Sequence, residues 1–239
     1  MTGVTIDIRQ KRQGGRVLFD RFHIDLARAA FTCLVGPSGC GKTTLLNMVA
    51  GLDRDFDGRI EFAGLDTTPR IGYVFQEPRL LPWRTVAENL DLAVPEGTDP
   101  GFVQGLLDQV GLADVQHQYP GQLSLGMSRR VALVRAFAIA PDLLLMDEPL
   151  VSLDTPAARK IRELMLQLWQ GRPHTVLYVT HDMREAIALA DRLVFLSPGP
   201  CRISAEVVIP IARHERSPDR IEAFYRSLQE DVIELQGLL

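Results

Sequence analysis

Gly36-Pro37-Ser38-Gly39-Cys40-Gly41-Lys42-Thr43 is the stretch on which the fold turns. It fits the pattern G-x-x-x-x-G-K-[ST], with an apolar run at residues 31–35 before it and the apolar pair Leu45-Leu46 after it. A strand leading in and a helix leading out are the setting this pattern needs. Glycines let successive backbone amides close around an anion at a helix N-terminus, where the helix dipole adds positive potential. Lys42 is expected to place a point charge on the β- and γ-phosphates of a nucleotide, and the Thr43 hydroxyl to ligate magnesium. The candidate phosphate-binding set is therefore Gly36, Pro37, Ser38, Gly39, Cys40, Gly41, Lys42 and Thr43, with Thr44 following.

Outward from this loop, short apolar runs recur at residues 71–75, 143–146, 176–179 and 193–196, several leading into helix-like segments. That is the alternation of a parallel sheet. The run 143–146 ends in Asp147-Glu148-Pro149, so a buried strand delivers two carboxylates to the sheet edge where phosphates bind. Asp147 is expected to hold magnesium through water, and Glu148 to polarise the attacking water. Residues 4–26 and 58–63 alternate as half-exposed strands do, which suits a small antiparallel sheet.

Between residues 85 and 140 no strand is evident, and the pattern is helical through 86–94, 102–110 and 128–140, with breaks at 95–100 and 119–121. Residues 157–170 read as a helix with the stripe Ile161, Leu164, Met165 and Leu168, stopped by Gly171 and Pro173. The tail carries Phe224, Leu228, Val232 and Leu235 at helical spacing, as a docked helix would. The expected organisation is one domain: an α/β core at 1–84 and 141–200, a helical subdomain at 85–140, and a strand and helix at 201–239.

Composition narrows the function. The chain has 239 residues, 46% of them hydrophobic, and a net charge of -4 with scattered Lys and Arg, which gives no footprint for nucleic acid. The first fifteen residues read as a strand, not as a secretory signal, and charges interrupt every stretch that approaches a membrane span. A cytoplasmic protein that meets a membrane only through a partner is expected. Cys33, Cys40 and Cys201 lack both disulfide pairing number and zinc spacing, so they read as free thiols. Cys40 falls where helix amides lower a thiol pKa, although a small residue fitting a tight loop is the simpler account.

Taken together, these residues resemble the ABC ATPases over about residues 17–200, with the family's motifs in order. Gln76 corresponds to the Q-loop glutamine, which also touches magnesium. Leu123-Ser124-Leu125-Gly126-Met127 corresponds to the signature, Ser152-Leu153-Asp154 to the D-loop and His181 to the switch histidine. The resemblance implies a P-loop NTPase with a RecA-like core, using ATP and magnesium, with Glu148, His181, Lys42 and Gln76 in catalysis. It also implies a dimer with a second ATPase subunit, in which Ser124 and Gly126 act in trans on the partner's nucleotide. The stretch 76–89 looks like importers of the nitrate, sulfonate and taurine class, where this region meets a permease subunit. That places the chain on the inner face of the membrane and serves a substrate-binding protein indirectly. Leu80, Leu81 and Trp83 either pack a joint here or form the docking patch.

Two positions depart from the family pattern. Leu125 replaces the first signature glycine, where a branched side chain would crowd the partner's nucleotide or restrict the backbone. It leaves open a catalytically impaired or regulatory subunit working in a heterodimer. Before Gly14-Gly15 the aromatic residue that stacks on adenine is absent; Arg12 and Gln13 stand there, and a guanidinium face is a weaker platform for one particular base. ATP is therefore expected to bind less than about tenfold more tightly than GTP, which is 1.4 kcal/mol. Competition binding of the two nucleotides checks this, and a much larger ratio rejects it.

Overall fold

Strand-forming residues dominate the first third of the chain. In the computed structural model, which describes residues 2–65 and 67–231, β1 (Thr2–Gln13) and β2 (Arg16–Ala27) form an antiparallel hairpin. Its turn is Gly14-Gly15, with φ of 56° and 78°, the left-handed pair that a two-residue hairpin loop requires. After it come β3 (Phe31–Val35), α1 (Lys42–Val49) and β4 (Asp57–Phe62). The chain continues through β5 (Ile71–Val74), α2 (Val86–Asp91), α3 (Pro100–Gln109), α4 (Leu125–Ala138), β6 (Leu143–Asp147) and α5 (Thr155–Gly171). It ends with β7 (Thr175–Thr180), α6 (Met183–Leu189), β8 (Arg192–Leu196), β9 (Ile203–Val208) and α7 (Pro218–Asp231). These elements make two compact units: the described residues of Met1–Asp66 with Thr175–Leu239, and Thr67–His174.

In the first unit β7, β3 and β8 run parallel in that order, and β9 closes the edge antiparallel to β8. Every residue of β3 and β7 is buried, which is why both read as unbroken apolar runs instead of alternating ones. Beside them β2, β1 and β4 make the expected antiparallel sheet, with Val4, Ile6 and Ile8 of β1 buried. Lys11 is also buried there, because its ammonium meets Asp53 Oδ1 at 2.9 Å and the Asp55 carbonyl at 2.6 Å. That ion pair ties the α1–β4 connection to β1. The tail helix is present as α7, with Ile221 and Leu228 buried and Glu222 accepting from Arg184 of α6 at 2.8 Å. Val232 and Leu235 lie outside the described residues.

The second unit holds the parallel pair β5–β6, with Val74 opposite Met146. A Cβ on Gly72 of β5 would stand 2.4 Å from the Ala136 carbonyl of α4, so that only glycine admits this helix-to-strand approach. The stripe Ile161, Leu164, Met165 and Leu168 of α5 is buried as expected, together with Trp169. Side-chain caps set the helix starts: Thr85 and Glu88 form a capping box on α2, Ser124 caps α4 and Asp154 caps α5. Thus α4 begins at Leu125, three residues before its apolar pattern does. Residues 67–84 and 141–174, expected with the nucleotide-binding core, pack with the helices of 85–140, because α4 lies against both β5 and α5.

The end of α6 is held by arginine. Arg216 donates to the carbonyls of Ile187 (3.0 Å), Ala188 (3.3 Å) and Ala190 (2.7 Å), oxygens that a helix C-terminus leaves without intrahelical partners. Arg213 donates to Leu189 O at 2.9 Å and to Asp191 at 2.5 Å. Arg216→Ala strands three acceptors, and the expected cost is about 2–3 kcal/mol. A urea denaturation midpoint reads this; a change under about 0.5 kcal/mol, the size of an ordinary surface substitution, shows the arginine to be dispensable.

Candidate active site

In the first unit the loop after β3 turns back over its own lysine. Lys42 opens α1 with its side chain buried, and its ammonium donates to Gly36 O at 2.7 Å and Pro37 O at 2.9 Å. Gly39 and Gly41 have φ of 79° and 109°, so the loop reaches α1 through left-handed backbone. Gly41 is also crowded, since a Cβ there would meet the Phe19 ring at 3.0 Å and Leu18 at 3.1 Å. Thr43 is exposed and Thr44 half-buried at the helix start. Left-handed glycines leading into a helix N-terminus, with Lys42 at its head, suit a phosphate chain.

His181 belongs to the same unit. Val35 pairs with Thr180, so the phosphate loop and His181 leave adjacent strand ends. His181 is exposed, and Asp182 after it caps α6 by accepting from Arg184 N at 2.8 Å and Glu185 N at 3.2 Å. Cys40 is buried in the loop, and its thiol is held down to about 6. The largest cause is a hydrogen bond from the Cys201 thiol, opposed by burial and supported by the Lys42 charge. Helix amides were the expected cause; the neighbouring thiol outranks them, and nothing in the chain order signals that Cys201 lies there.

In the second unit Asp147 is the buried last residue of β6, and Glu148 follows half-buried with φ 45°. A non-glycine residue in the left-handed region stores about 1–2 kcal/mol of strain, and such residues concentrate where a side chain must be aimed. Gln76 lies exposed two residues beyond Val74, whose partner is Met146, so Gln76 and the two carboxylates leave neighbouring strand ends. Tyr73 stacks on Phe75 with centroids 3.9 Å apart, and the Arg79 guanidinium lies 4.2 Å above the Phe75 ring. Arg135 of α4 donates to Pro78 O at 2.9 Å and Arg79 O at 2.8 Å. Buried Asn89 binds Leu81 N at 2.8 Å and the carbonyls of Leu81, Arg84 and Thr85, fixing the turn before α2. Trp83, by contrast, is 70% exposed, so it packs no joint within this unit.

Ser124 caps α4, its hydroxyl accepting from Met127 N at 3.2 Å, and Gly126 faces open space. Leu125 takes the first helical position with 52% of its surface exposed and is absent from the left-handed residues. The backbone restriction expected of it therefore does not arise. Ser152 has φ 62°, and Asp154 accepts from Ala157 N at 2.8 Å. The first unit thus gathers the phosphate loop and His181; the second gathers Gln76, Asp147 and Glu148 at one pair of strand ends, and Ser124 and Gly126 at the head of α4.

The family model described as ABC transporter matches residues 19–151. An aliphatic sulfonates import ATP-binding protein of Burkholderia lata is 42% identical over 92% of this chain and 82% of its own length. One of Mesorhizobium japonicum is 39% identical over 87% of this chain and 79% of its own. Among solved structures, a dimeric post-hydrolysis ATP-binding cassette bound to ADP and phosphate superimposes with a TM-score of 0.74, at 27% identity, over 87% of this chain and 100% of that one.

Gly41→Ala combines an unfavourable φ with contact against Phe19, so both the loop and the fold are strained. The expected result is an ATP affinity at least about tenfold weaker and a stability lower by about 1–2 kcal/mol. Nucleotide titration and thermal unfolding read the two effects, and an unchanged affinity contradicts the loop's assignment.

Proposed function

The chain belongs to the ABC transporter family, and from that membership we propose that it is the motor subunit of an importer for small anions, sulfonates foremost. It is an ATP-binding, ATP-hydrolysing subunit with the α/β fold of the P-loop ATPases. The observation that carries the reading is the buried Lys42 at the head of α1, its ammonium held on the Gly36 and Pro37 carbonyls inside a loop of left-handed glycines.

Lys42 and the loop amides draw the γ-phosphate into line and neutralise charge that builds there as the bond to the β-phosphate breaks. Glu148 accepts hydrogen-bond density from the attacking water, and His181 donates toward the γ-phosphate. Thr43 in the first unit, and Gln76 and Asp147 in the second, carry the hard oxygens assigned to magnesium. Among the described residues no group of three or more His, Cys, Asp or Glu side chains could hold an ion, which suits a metal that arrives with phosphate oxygens. When bound, magnesium supplies further neutralisation of the phosphate charge. Ser124 and Gly126 act in trans, as a hydroxyl and an amide on the nucleotide of a second copy.

Among the described residues no helix is long and apolar enough to cross a membrane. Permease subunits would dock on residues 76–89, where Asn89 and Arg135 hold the backbone and Trp83 stands free to be covered. A peripheral position on the cytoplasmic face, with a substrate-binding protein acting through the permease, follows from that docking. The relatives, import ATP-binding proteins, do not favour an impaired subunit, and the helical backbone of Leu125 removes one of its two grounds.

Magnesium-dependent ATP hydrolysis by the purified chain is expected to rise per chain with concentration, as a dimeric site demands. In Glu148→Gln it should fall by at least about a hundredfold with ATP binding retained. Wild type and Glu148→Gln equally inactive while binding ATP would overturn the self-sufficient dimer.

A further inference from the structure

The mechanism uses the phosphate loop but leaves one of its side chains unexplained. Cys40 has its thiol buried against a second thiol, that of Cys201, which hydrogen-bonds to it. The two are 161 residues apart in the chain, and separate anchors bring them together. Cys201 N donates to Leu18 O at 2.7 Å and the residue bridges to Phe19, the same two residues that press on Gly41. Ser197 and Arg202 close the turn around Cys201 with hydrogen bonds of 2.9 and 3.2 Å. Cys40 Sγ lies 4.0 Å from the Lys42 ammonium and within 3.2 Å of where a Cβ on Gly36 would be.

We propose that Cys40 and Cys201 form a reversible disulfide that shuts the phosphate loop, with Cys40 attacking a hydroperoxide and Cys201 resolving the product. The chemistry balances in two steps. The Cys40 sulfur attacks one peroxide oxygen, the O–O bond breaks, and the departing oxygen leaves as water or an alcohol, so that Cys40 becomes a sulfenic acid. The Cys201 sulfur then gives up its proton and attacks the Cys40 sulfur; the S–S bond forms, the S–O bond breaks and water leaves. The peroxide takes two electrons, one from each sulfur in the final bond.

The surroundings suit these roles. The Cys201 hydrogen bond and the nearby ammonium favour the thiolate of Cys40, the form that attacks peroxide, while Cys201 is pushed up and stays a thiol until its turn. Cys33 is excluded, since burial in β3, followed by the Glu185 charge, drives its thiol well up. Cys201 is held on Leu18 and Phe19, the residues that touch Gly41 next to Cys40, so side-chain rotation with a shift of the loop brings the sulfurs to the ~2.05 Å bond. That shift pins the middle of a loop whose amides must close on phosphate. The effect on nucleotide rests on the phosphate-loop assignment above; the bond itself does not.

The test treats reduced full-length protein with hydrogen peroxide, maps disulfides by trypsin and mass spectrometry, and measures ATP binding before and after dithiothreitol. The expected result is a link between peptides 29–42 and 193–202 that fragmentation places at Cys40 and not at Cys33, an ATP affinity at least about tenfold weaker, and full recovery on reduction. Cys201→Ala should bind ATP as the wild type does, form no link, and pass under the same peroxide to a sulfinic acid that dithiothreitol does not reverse; Cys201→Ser serves if the alanine variant folds poorly. Absence of the link, a Cys33–Cys40 link instead, or a linked protein of unchanged affinity overturns the proposal. Reduced protein that binds no ATP would count against the proposed function, while the peptide map would still decide the disulfide.

Discussion

A buried ammonium needs oxygen partners, and Lys42 finds them in the carbonyls of its own loop at Gly36 and Pro37. Much of the first unit follows from making that arrangement possible. The loop must curl tightly enough to place two carbonyls on one nitrogen, which takes left-handed backbone at Gly39 and Gly41. It must also start from something rigid, and β3 supplies that, buried along its whole length between β7 and β8.

The carboxyl-terminal segment protects this platform from behind. Asp191 accepts from Phe31 N at 2.8 Å, and Arg213 both pairs with Asp191 and lies 4.9 Å over the Phe31 ring, so the start of β3 is tied to the segment after β9. Burial lowers the pKa of Arg216 to about 10, with the Arg213 charge adding to it, yet Arg216 remains charged at neutral pH because ten is far above seven. Its contacts to the end of α6 also brace the helix that follows His181. The segment after β9 is therefore part of the support of the site.

The second unit solves a different problem, that of aiming side chains from strand ends. Arg79, Glu148 and Ser152 all take positive φ, each next to a segment of Gln76, Asp147 or the D-loop. Arg129 and Arg135 bind the carbonyls of Pro149, Pro78 and Arg79 close to these turns. Strain in the backbone is thus matched by charged hydrogen bonds to the adjoining carbonyls, which hold the turns from which the carboxylates and Gln76 leave the buried strands.

Local pattern determined a good deal. The octet 36–43, the apolar runs and the alternation in β1 and β2 are short-range signals set by steric and burial rules, so the phosphate loop, the strand centres and the stripe of α5 were legible in the sequence. Helix starts were less so, because a cap such as Ser124 acts through one hydroxyl ahead of the apolar period. What only the tertiary structure decided are meetings between residues distant along the chain. Arg135 reaching back 57 residues to Pro78, Asp191 meeting Phe31 and the approach of Cys201 to Cys40 belong to this class. Each depends on how buried strands and helices stack, and a one-dimensional pattern carries periodicity but not the direction in which a side chain leaves its element.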